Sequence, residues 1–424
     1  MWVENLGSLG EASLPYRSVS ARSKARIVCG LIRCILNLTM SLKFDAVRRI
    51  VSRPGAARDL GALARELSCR RILVVTDPGL RKSGLLDGPL RALGQEMDHV
   101  SVFSDVQADP PEAVVLAAVR QATTEGIDGV IGLGGGSSLD TAKLAALLSR
   151  SAQDLDTIYG IGLARGPRHP LILVPTTAGT GSEVTPIAIV TTPSTEKKGV
   201  VAPQLLPDLA VLDAELTLSV PHAVTAATGI DAMVHAIEAY GSRHLKNPLS
   251  DALAVRALRL LHGHLRRVLA DGRDLPAREA MLEGSLMAGM AFANAPVGAV
   301  HALAYPLGAH FHLPHGLCNA LMLPHVLAFN QEVRPDLYAE LAEEILPGVD
   351  GSPREKALAF VDEMSRLCAD AGLPRSLREV NVPESALPRL AEDALKVERL
   401  LRNNPREVSL ANAQRLYTQA WKTP

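Results

Sequence analysis

The spacing of apolar residues divides the chain into two regions of different secondary structure. Between residues 70 and 212, short apolar runs alternate with helical stretches near residues 111–125 and 138–148. The runs that predict strands are RILVVTD, HVSVF, GVIGLGGG and LILVPTT. Strands that alternate with helices are typical of βαβ units around a parallel sheet. Beyond Pro221 the apolar positions follow the helical period, as in AVTAATGIDAMVHAIEAY, so this part is predicted to be all-helical.

The length of the chain favours two domains. A chain of 424 residues exceeds the size at which one hydrophobic core keeps growing. We predict a dinucleotide-binding α/β domain with a parallel sheet over residues 40–218, and an all-α domain that binds metal and substrate over residues 219–424. Residues 1–39 are basic, and Arg33 interrupts their short apolar patch. A poorly ordered extension is therefore favoured over a signal peptide.

Composition excludes several classes of partner. The 44 Lys and Arg residues balance 45 Asp and Glu residues, so no electrostatic footprint for nucleic acid or a membrane surface is present. Apolar runs are too short for a spanning helix. Five scattered cysteines without a CxxC spacing favour a reducing compartment over a disulfide framework. We expect a cytoplasmic homodimer or higher homo-oligomer that acts on a small molecule.

A glycine-rich turn is the first candidate for cofactor binding. The run GLGGGSSLD, residues 132–140, follows a predicted strand and opens a predicted helix. Glycines there let backbone N–H groups approach a pyrophosphate, which the positive end of the helix also attracts. The run is neither GxGxxG nor a Walker loop. A tight turn with a serine cap explains it equally well.

Two further features favour a dinucleotide. Asp77 ends the first strong strand, where a carboxylate can bind an adenosine ribose and repel a 2′-phosphate, which favours NAD over NADP. The loop PTTAGTGSE, residues 175–183, offers several hydroxyl donors after a buried strand. A turn-forming aspartate and an ordinary capped loop are the alternative interpretations.

Asp231 and His235 form a candidate metal site. They lie four residues apart in a helical segment, so their side chains share one face. With His301 and His315 they would make a reasonable ligand set for Fe²⁺ or Zn²⁺, with one position left for a substrate oxygen. Spacing alone does not distinguish His301 from His310 or His312.

Four motifs together resemble the iron-containing (group III) alcohol dehydrogenase family. They stand in the order of that family, and the likeness extends from about Met40 to the C-terminus. The resemblance implies the fold shared with dehydroquinate synthases, and a metal-dependent, NAD(P)-linked alcohol dehydrogenase. The motifs are GGGSSLDTAK, PTTAGTGSEVT, GIDAMVHAIEAY and HALAYPLGAHFHLPHGLCNALMLPHVLAFN.

The resemblance also implies roles for individual residues. The metal ligands of the family fall on Asp231, His235, His301 and His315, with Fe²⁺ favoured over Zn²⁺. The positions implied to contact or adjoin NAD are Asp77, Gly135, Gly136, Ser137, Asp140, Thr176, Thr177, Thr180 and Lys197, with Lys198 as an alternative to Lys197. Where many members carry a second histidine, this chain has Tyr305, which would be either a weak catalytic proton relay or a wall of the pocket.

Other functions are weighed against this one. A lyase of the dehydroquinate synthase kind needs a basic phosphate pocket, and residues 291–306 hold no Lys or Arg. A non-catalytic scaffold has little reason to keep a carboxylate beside clustered imidazoles. Within the dehydrogenases, the alternative substrate is a hydroxy acid such as 4-hydroxybutyrate. It would need an Arg or Lys at the pocket mouth, which the sequence does not locate.

Overall fold

The computed structural model describes residues 42–194 and 196–422. The predicted extension over residues 1–39 lies outside the described residues. Phe44–Pro424 forms one compact unit that contains both the α/β and the helical region. The predicted domain boundary between residues 218 and 219 falls after the last strand and before the first long helix, and stays a prediction.

A six-stranded parallel sheet is the frame of the α/β region. Its strands are β1 (Ile50–Ser52), β2 (Arg71–Val75), β3 (His99–Phe103), β4 (Gly129–Gly134), β6 (Leu171–Pro175) and β9 (Leu209–Leu212). They lie in the order β1-β9-β6-β4-β2-β3. In the registers of the central pairs, Val75 of β2 lies opposite Gly132 of β4, and Gly134 of β4 opposite Pro175 of β6. The carboxyl ends of these three strands therefore meet at one edge of the sheet.

Helices cover both faces of this sheet, as a fully buried parallel sheet requires. Successive residues of β2 show the two sides: Val74 packs in one apolar cluster with Leu60 and Leu93, and Leu73 packs in the other with Leu139. The helices of this region are α1 (Leu60–Glu66), α2 (Pro78–Ser83), α3 (Asp87–Glu96), α4 (Glu112–Thr124) and α5 (Gly136–Ser151).

A second, three-stranded sheet was not predicted from the apolar pattern. It consists of β5 (Gly160–Ile161), β7 (Ile187–Thr191) and β8 (Lys197–Val201), in the order β5-β8-β7. Strands β7 and β8 pair in antiparallel orientation. The run KKGVV of β8 is short and begins with two lysines, so it carries little of the apolar signal that predicts a strand.

The remainder of the chain is helical, as predicted. Its helices are α6 (His222–Tyr240), α7 (Pro248–Ala270), α8 (Leu275–Asn294), α9 (Ala299–Phe311), α10 (His315–Gln331), α11 (Pro335–Ile345), α12 (Pro353–Asp370), α13 (Leu387–Leu395), α14 (Glu398–Leu401) and α15 (Leu410–Lys422). Helix α6 is buried over nearly its whole length, which places its polar side chains inside the protein. By length and apolarity, no single helix of the described residues could cross a membrane; α8 and α9, bent by 104° at their junction, pass that test only as a pair.

Candidate metal centre and cofactor cleft

Three helices bring the four predicted metal ligands together. Asp231 and His235 lie on α6, His301 on α9 and His315 at the first position of α10. One ligand atom from each residue lies within 4.8 Å of all the others. First-row metal ions bond to carboxylate oxygen and imidazole nitrogen at about 2.0–2.2 Å. The spacing therefore approaches what a single ion can bridge.

The histidine ring orientations fit a cation. His301 Nδ1 lies 2.7 Å from Glu238 Oε2, and His235 Nδ1 lies 3.2 Å from the Gly179 carbonyl. Both partners are acceptors, so each Nδ1 carries the proton and each Nε2 presents a lone pair. The two Nε2 atoms are 3.0 Å apart. Two facing lone pairs repel at this distance, and a metal ion bound by both nitrogens would remove that repulsion.

Asn319, one turn after His315 on α10, reaches into the same set of acceptors. Its Nδ2 donates to Asp231 Oδ1 at 2.5 Å and lies 3.2 Å from Nε2 of both His301 and His315. An amide has two hydrogens and cannot satisfy three acceptors. Its own Oδ1 is buried without a partner among the described residues. The site therefore holds more hydrogen-bond acceptors than donors, and its ligand atoms fit a divalent cation.

Burial and mutual charge keep these groups in the form that binds metal. Burial lowers the pKa of His235 to about 3 and that of His315 to about 4, so both imidazoles are neutral at physiological pH. Burial raises the pKa of Asp231, but the three neighbouring histidines lower it, and the net effect is a pKa below the ordinary value. The site thus offers a carboxylate together with the neutral imidazoles of His235 and His315.

Glu238 orients His301 and the helix that carries it. One carboxylate oxygen accepts from the Val300 N–H at 2.6 Å, and the other accepts from His301 Nδ1 at 2.7 Å. Val300 lies in the first turn of α9, where backbone N–H groups lack partners within the helix. A buried carboxylate behind a metal-binding imidazole sets its tautomer and raises its basicity.

The Glu238→Gln variant is expected to bind metal about 10- to 100-fold more weakly than the parent protein. The two atoms that face Glu238 are both donors, and an amide can accept from only one of them while its NH₂ group faces the other. Chelator competition followed by metal analysis measures the affinity. The exposed Glu279 provides the matched control, because Glu279→Gln on α8 should leave the affinity unchanged. Unaltered affinity in Glu238→Gln would contradict the role of Glu238.

A cavity of about 320 Å³ opens in front of the four ligands. Its walls combine residues of the three-stranded sheet, of helix α5 and of nearby loops with residues of the helical region. Apolar side chains, among them Phe292, Val297 and Leu400, form much of the lining. The predicted site residues that line it are Gly136, Ser137, Asp140, Thr180, Lys197, Asp231, His235, His301, Tyr305 and His315.

The glycine-rich turn stands at the sheet edge that borders this cavity. Helix α5 begins at Gly136, two residues before the predicted start, and no side chain caps its first turn. A Cβ at Gly136 would lie 2.8 Å from the Thr180 side chain. The glycine-rich turn therefore packs against the loop of residues 175–183 with no space for a larger residue at position 136. Thr176 is buried and its N–H donates to the Gly134 carbonyl at 3.0 Å. The uncapped N–H groups are suited to an anion.

Asp140 connects α5 to the loop of residues 175–183 and to β7. Its carboxylate accepts from Ser182 Oγ at 2.6 Å and from the Ile189 N–H at 2.9 Å. Lys143, one turn later, is fully buried, and its Nζ lies 3.5 Å from Asp140 and donates to the Ile187 carbonyl at 2.6 Å. These contacts hold the cavity wall in place.

Asp77, Gly135, Thr176 and Thr177 do not line this cavity, whereas Lys197 and Tyr305 do. Asp77 caps α2 by accepting from the Leu80 N–H through Oδ1, and it follows β2 at the same sheet edge as the glycine turn. Lys197 donates to Asp109 Oδ1 at 2.7 Å at the cavity wall. The Tyr305 ring lies 5.9 Å from that of His315. A Cβ at Gly135 would meet the Thr177 hydroxyl at 3.7 Å, so these two residues adjoin.

Family models match both regions of the chain. The model described as "Iron-containing alcohol dehydrogenase" covers residues 47–214, and the model described as "Fe-containing alcohol dehydrogenase family, C-terminal" covers residues 225–421. The chain belongs to the iron-containing alcohol dehydrogenase family. The predicted family and the predicted fold class are both confirmed.

Individual members of the iron-containing alcohol dehydrogenase family resemble the chain over most of its length. Long-chain-alcohol dehydrogenase 1 of Geobacillus thermodenitrificans is 43% identical over 390 residues, covering 89% of this chain and 97% of the relative. The crystal structure of a 1,3-propanediol oxidoreductase is 36% identical, with a TM-score of 0.87, and covers 90% of this chain and 100% of its own. Sulfoacetaldehyde reductase from Bifidobacterium kashiwanohense, solved in complex with NAD+, has a TM-score of 0.82 and 28% identity, and covers 91% of this chain and 100% of its own.

Three buried residues of the site were missed by sequence reasoning. Glu238 follows His235 by three positions on α6, and Asn319 follows His315 by four on α10, so helical spacing places each beside a ligand. Lys143 had no such signal, because a lysine on a predicted helix is ordinarily exposed.

Proposed function

We propose that the protein is a metal-dependent, NAD-linked alcohol dehydrogenase that interconverts a small alcohol and its aldehyde or ketone. The observation that carries this proposal is the convergence of four metal-binding side chains on a cavity that also contains the uncapped glycine turn. Family membership supports the same chemistry. The ligand set suits Fe²⁺ and Zn²⁺, and the family favours iron.

Asp231, His235, His301 and His315 would hold the ion. A divalent ion supplies Lewis-acid chemistry there, which favours loss of the hydroxyl proton from an alcohol. The residues of the chain position the reactants: Phe292 and Val297 form an apolar wall that limits water near the reacting carbon. Hydride transfer needs the carbinol carbon in line with the nicotinamide ring, and the residues of the cavity would hold both reactants there.

The residues that would bind the pyrophosphate and nicotinamide follow β4 and β6 at the carboxyl edge of the main sheet. Gly135, Gly136 and Ser137 would bind the pyrophosphate through backbone N–H groups, and Thr176, Thr177 and Thr180 would bind nearer the nicotinamide. Asp140 holds the cavity wall in place through its bonds to Ser182 and Ile189. Lys197 would approach the cofactor, and Tyr305 would be either a wall of the pocket or a weak proton relay. The relative solved with NAD+ supports this choice of cofactor.

The Asp77→Ser variant is expected to use NADP better, raising the NADP-to-NAD ratio of kcat/KM by roughly tenfold or more. Serine removes the charge that repels a 2′-phosphate and that accepts from a ribose hydroxyl, while it still can cap α2. Steady-state kinetics with both cofactors measure the ratio. Asp87, an exposed acid in the first turn of α3, provides the control Asp87→Ser. An unchanged ratio in Asp77→Ser would refute the ribose assignment.

A substrate panel tests the proposed function as a whole. Purified protein is stripped of metal, reconstituted with Fe²⁺ or Zn²⁺, and assayed with primary alcohols, secondary alcohols and hydroxy acids, using NAD and NADP. We expect metal-dependent reduction of NAD with at least one small alcohol. No reduction of either nucleotide by any candidate, in protein that retains the ion, would end the proposal.

We also infer a cytoplasmic location and a homodimer or larger homo-oligomer. The cysteines of the described residues, Cys69, Cys318 and Cys368, are free and buried, which agrees with a reducing compartment. Light scattering of the purified protein measures the oligomeric state. A monomer at micromolar concentration would contradict the second part of this inference.

A further inference from the structure

A second cavity adjoins the metal-facing one. It measures about 620 Å³ and shares Lys197, Tyr305 and Arg399 with the first cavity. The four metal ligands line only the first cavity, so the shared residues mark the junction between the two. Tyr305 lies beside His315 and also borders the second cavity, which places the junction close to the metal centre. One substrate molecule in the first cavity could therefore contact both the metal centre and the junction.

Arg399 differs from the other cations that line these cavities. Lys197 pairs with Asp109, Lys198 lies 3.8 Å from Glu196, and both Arg389 and Lys396 approach Asp393. Among residues 42–194 and 196–422, no hydrogen bond or ion pair is formed by the Arg399 guanidinium. Its fork of donors is available to a ligand.

The backbone that carries Arg399 is anchored to the cavity wall. Asn403 Nδ2 donates to the Arg399 carbonyl at 3.0 Å and to the Val297 carbonyl at 3.1 Å. The neighbouring Leu400 is buried in an apolar cluster with Val297 and Ala302. The guanidinium reaches toward β8, where a Cβ at Gly199 would still lie 3.8 Å from Nη2. Arg399 thus projects from a rigid support.

We propose that Arg399 binds a carboxylate on the substrate, at the end of the molecule opposite the reacting carbonyl or hydroxyl group. One side of the first cavity is apolar: Phe292 stacks on His235, and Val297 and Leu400 share an apolar cluster with Phe292 and Tyr305, so this side fits a short hydrocarbon spacer. Arginine binds a carboxylate through two parallel hydrogen bonds. The favoured substrates are short aldehyde acids and the corresponding hydroxy acids. This inference rests on the proposed function and narrows its substrate.

The test compares two four-carbon aldehydes of similar shape, succinic semialdehyde and butanal, in metal-loaded protein with NADH. In either reaction the nicotinamide gives a hydride to the carbonyl carbon and the oxygen gains a proton, so NADH is oxidised and the aldehyde is reduced. We expect a kcat/KM at least roughly tenfold higher for the acid, as one partly exposed charge-assisted contact allows. Arg399→Leu should abolish that preference through KM and leave butanal within about twofold.

Two matched variants complete the design. Arg399→Lys keeps the charge without the fork and should retain part of the preference. Arg389 borders only the second cavity, so Arg389→Leu should behave as the parent protein. A parent enzyme that does not favour the acid would overturn the inference, as would an equal loss on both aldehydes in Arg399→Leu. If neither aldehyde is reduced while alcohols in the panel are oxidised, the proposed role of Arg399 is also contradicted. If no candidate substrate reacts, the proposed function fails, and the inference fails with it.

Discussion

The His301→Ala variant is expected to lose its activity by roughly 1000-fold or more and to retain little metal. Lewis-acid assistance contributes several kcal/mol to transition-state stabilisation, and each 1.36 kcal/mol is a factor of ten in rate. His301 is the ligand with the most contacts in the site, since it faces His235, Asn319 and Glu238. Metal content by atomic spectrometry and the rate of NAD reduction are measured on the same sample.

The fold should survive this change, because Glu238 keeps its bond from the Val300 N–H. Circular dichroism and the thermal midpoint verify that. The exposed His244 serves as the control, and His244→Ala should keep both metal and activity. Equal turnover in His301→Ala and the parent enzyme would remove the metal from the proposed reaction.

The Gly316→Ala variant is expected to lower the free energy of unfolding by up to about 3 kcal/mol, the usual range for overpacking a core. A Cβ at Gly316 would lie 2.7 Å from the carbonyl carbon of Ala227 on α6, and backbone cannot yield as a side chain does. Gly316 directly follows His315, and Ala227 lies one turn before Asp231. Separation of α6 and α10 should therefore also weaken metal binding, by roughly tenfold or more.

The matched control for this change is Gly263→Ala. Gly263 lies inside α7, and a Cβ there would meet nothing within 4 Å. Alanine should stabilise that helix by about 0.5–1 kcal/mol relative to glycine. Denaturant titration of metal-free protein gives the unfolding change, and chelator competition gives the affinity. Gly316→Ala protein as stable as the parent would show that α10 shifts freely on α6.

Local patterns predicted much of the molecule. Alternating strand and helix signals predicted the parallel sheet, and the helical period after Pro221 predicted the helical region. The spacing of Asp231 and His235 placed both on one helical face, as α6 confirms. His301 and His315 could be selected over the other histidines only through the family motifs, because no local rule relates residues on α9 and α10 to those on α6.

Contacts between distant segments could not be predicted. The three-stranded sheet was missed because β8 pairs through its backbone, and its lysines hide the apolar signal. Glu238 and His301 are 63 residues apart, and their contact depends on how α6 packs against α9. The sequence did not locate the arginine that a carboxylate substrate would need, because Arg399 reaches the cavity from a short helix near the C-terminus.

The sequence by itself determined strands β2, β3, β4 and β6 of the parallel sheet, the helical region, and the side chains whose chemistry can bind metal, because helical and strand periods are properties of neighbouring residues. Only the tertiary structure decided which lone pairs face one another, which carboxylate contacts His301, and which cation at the junction of the two cavities has no partner among residues 42–194 and 196–422. Those relations arise where helices from separate parts of the chain pack together. Packing depends on the shape of the whole core, which no local period records.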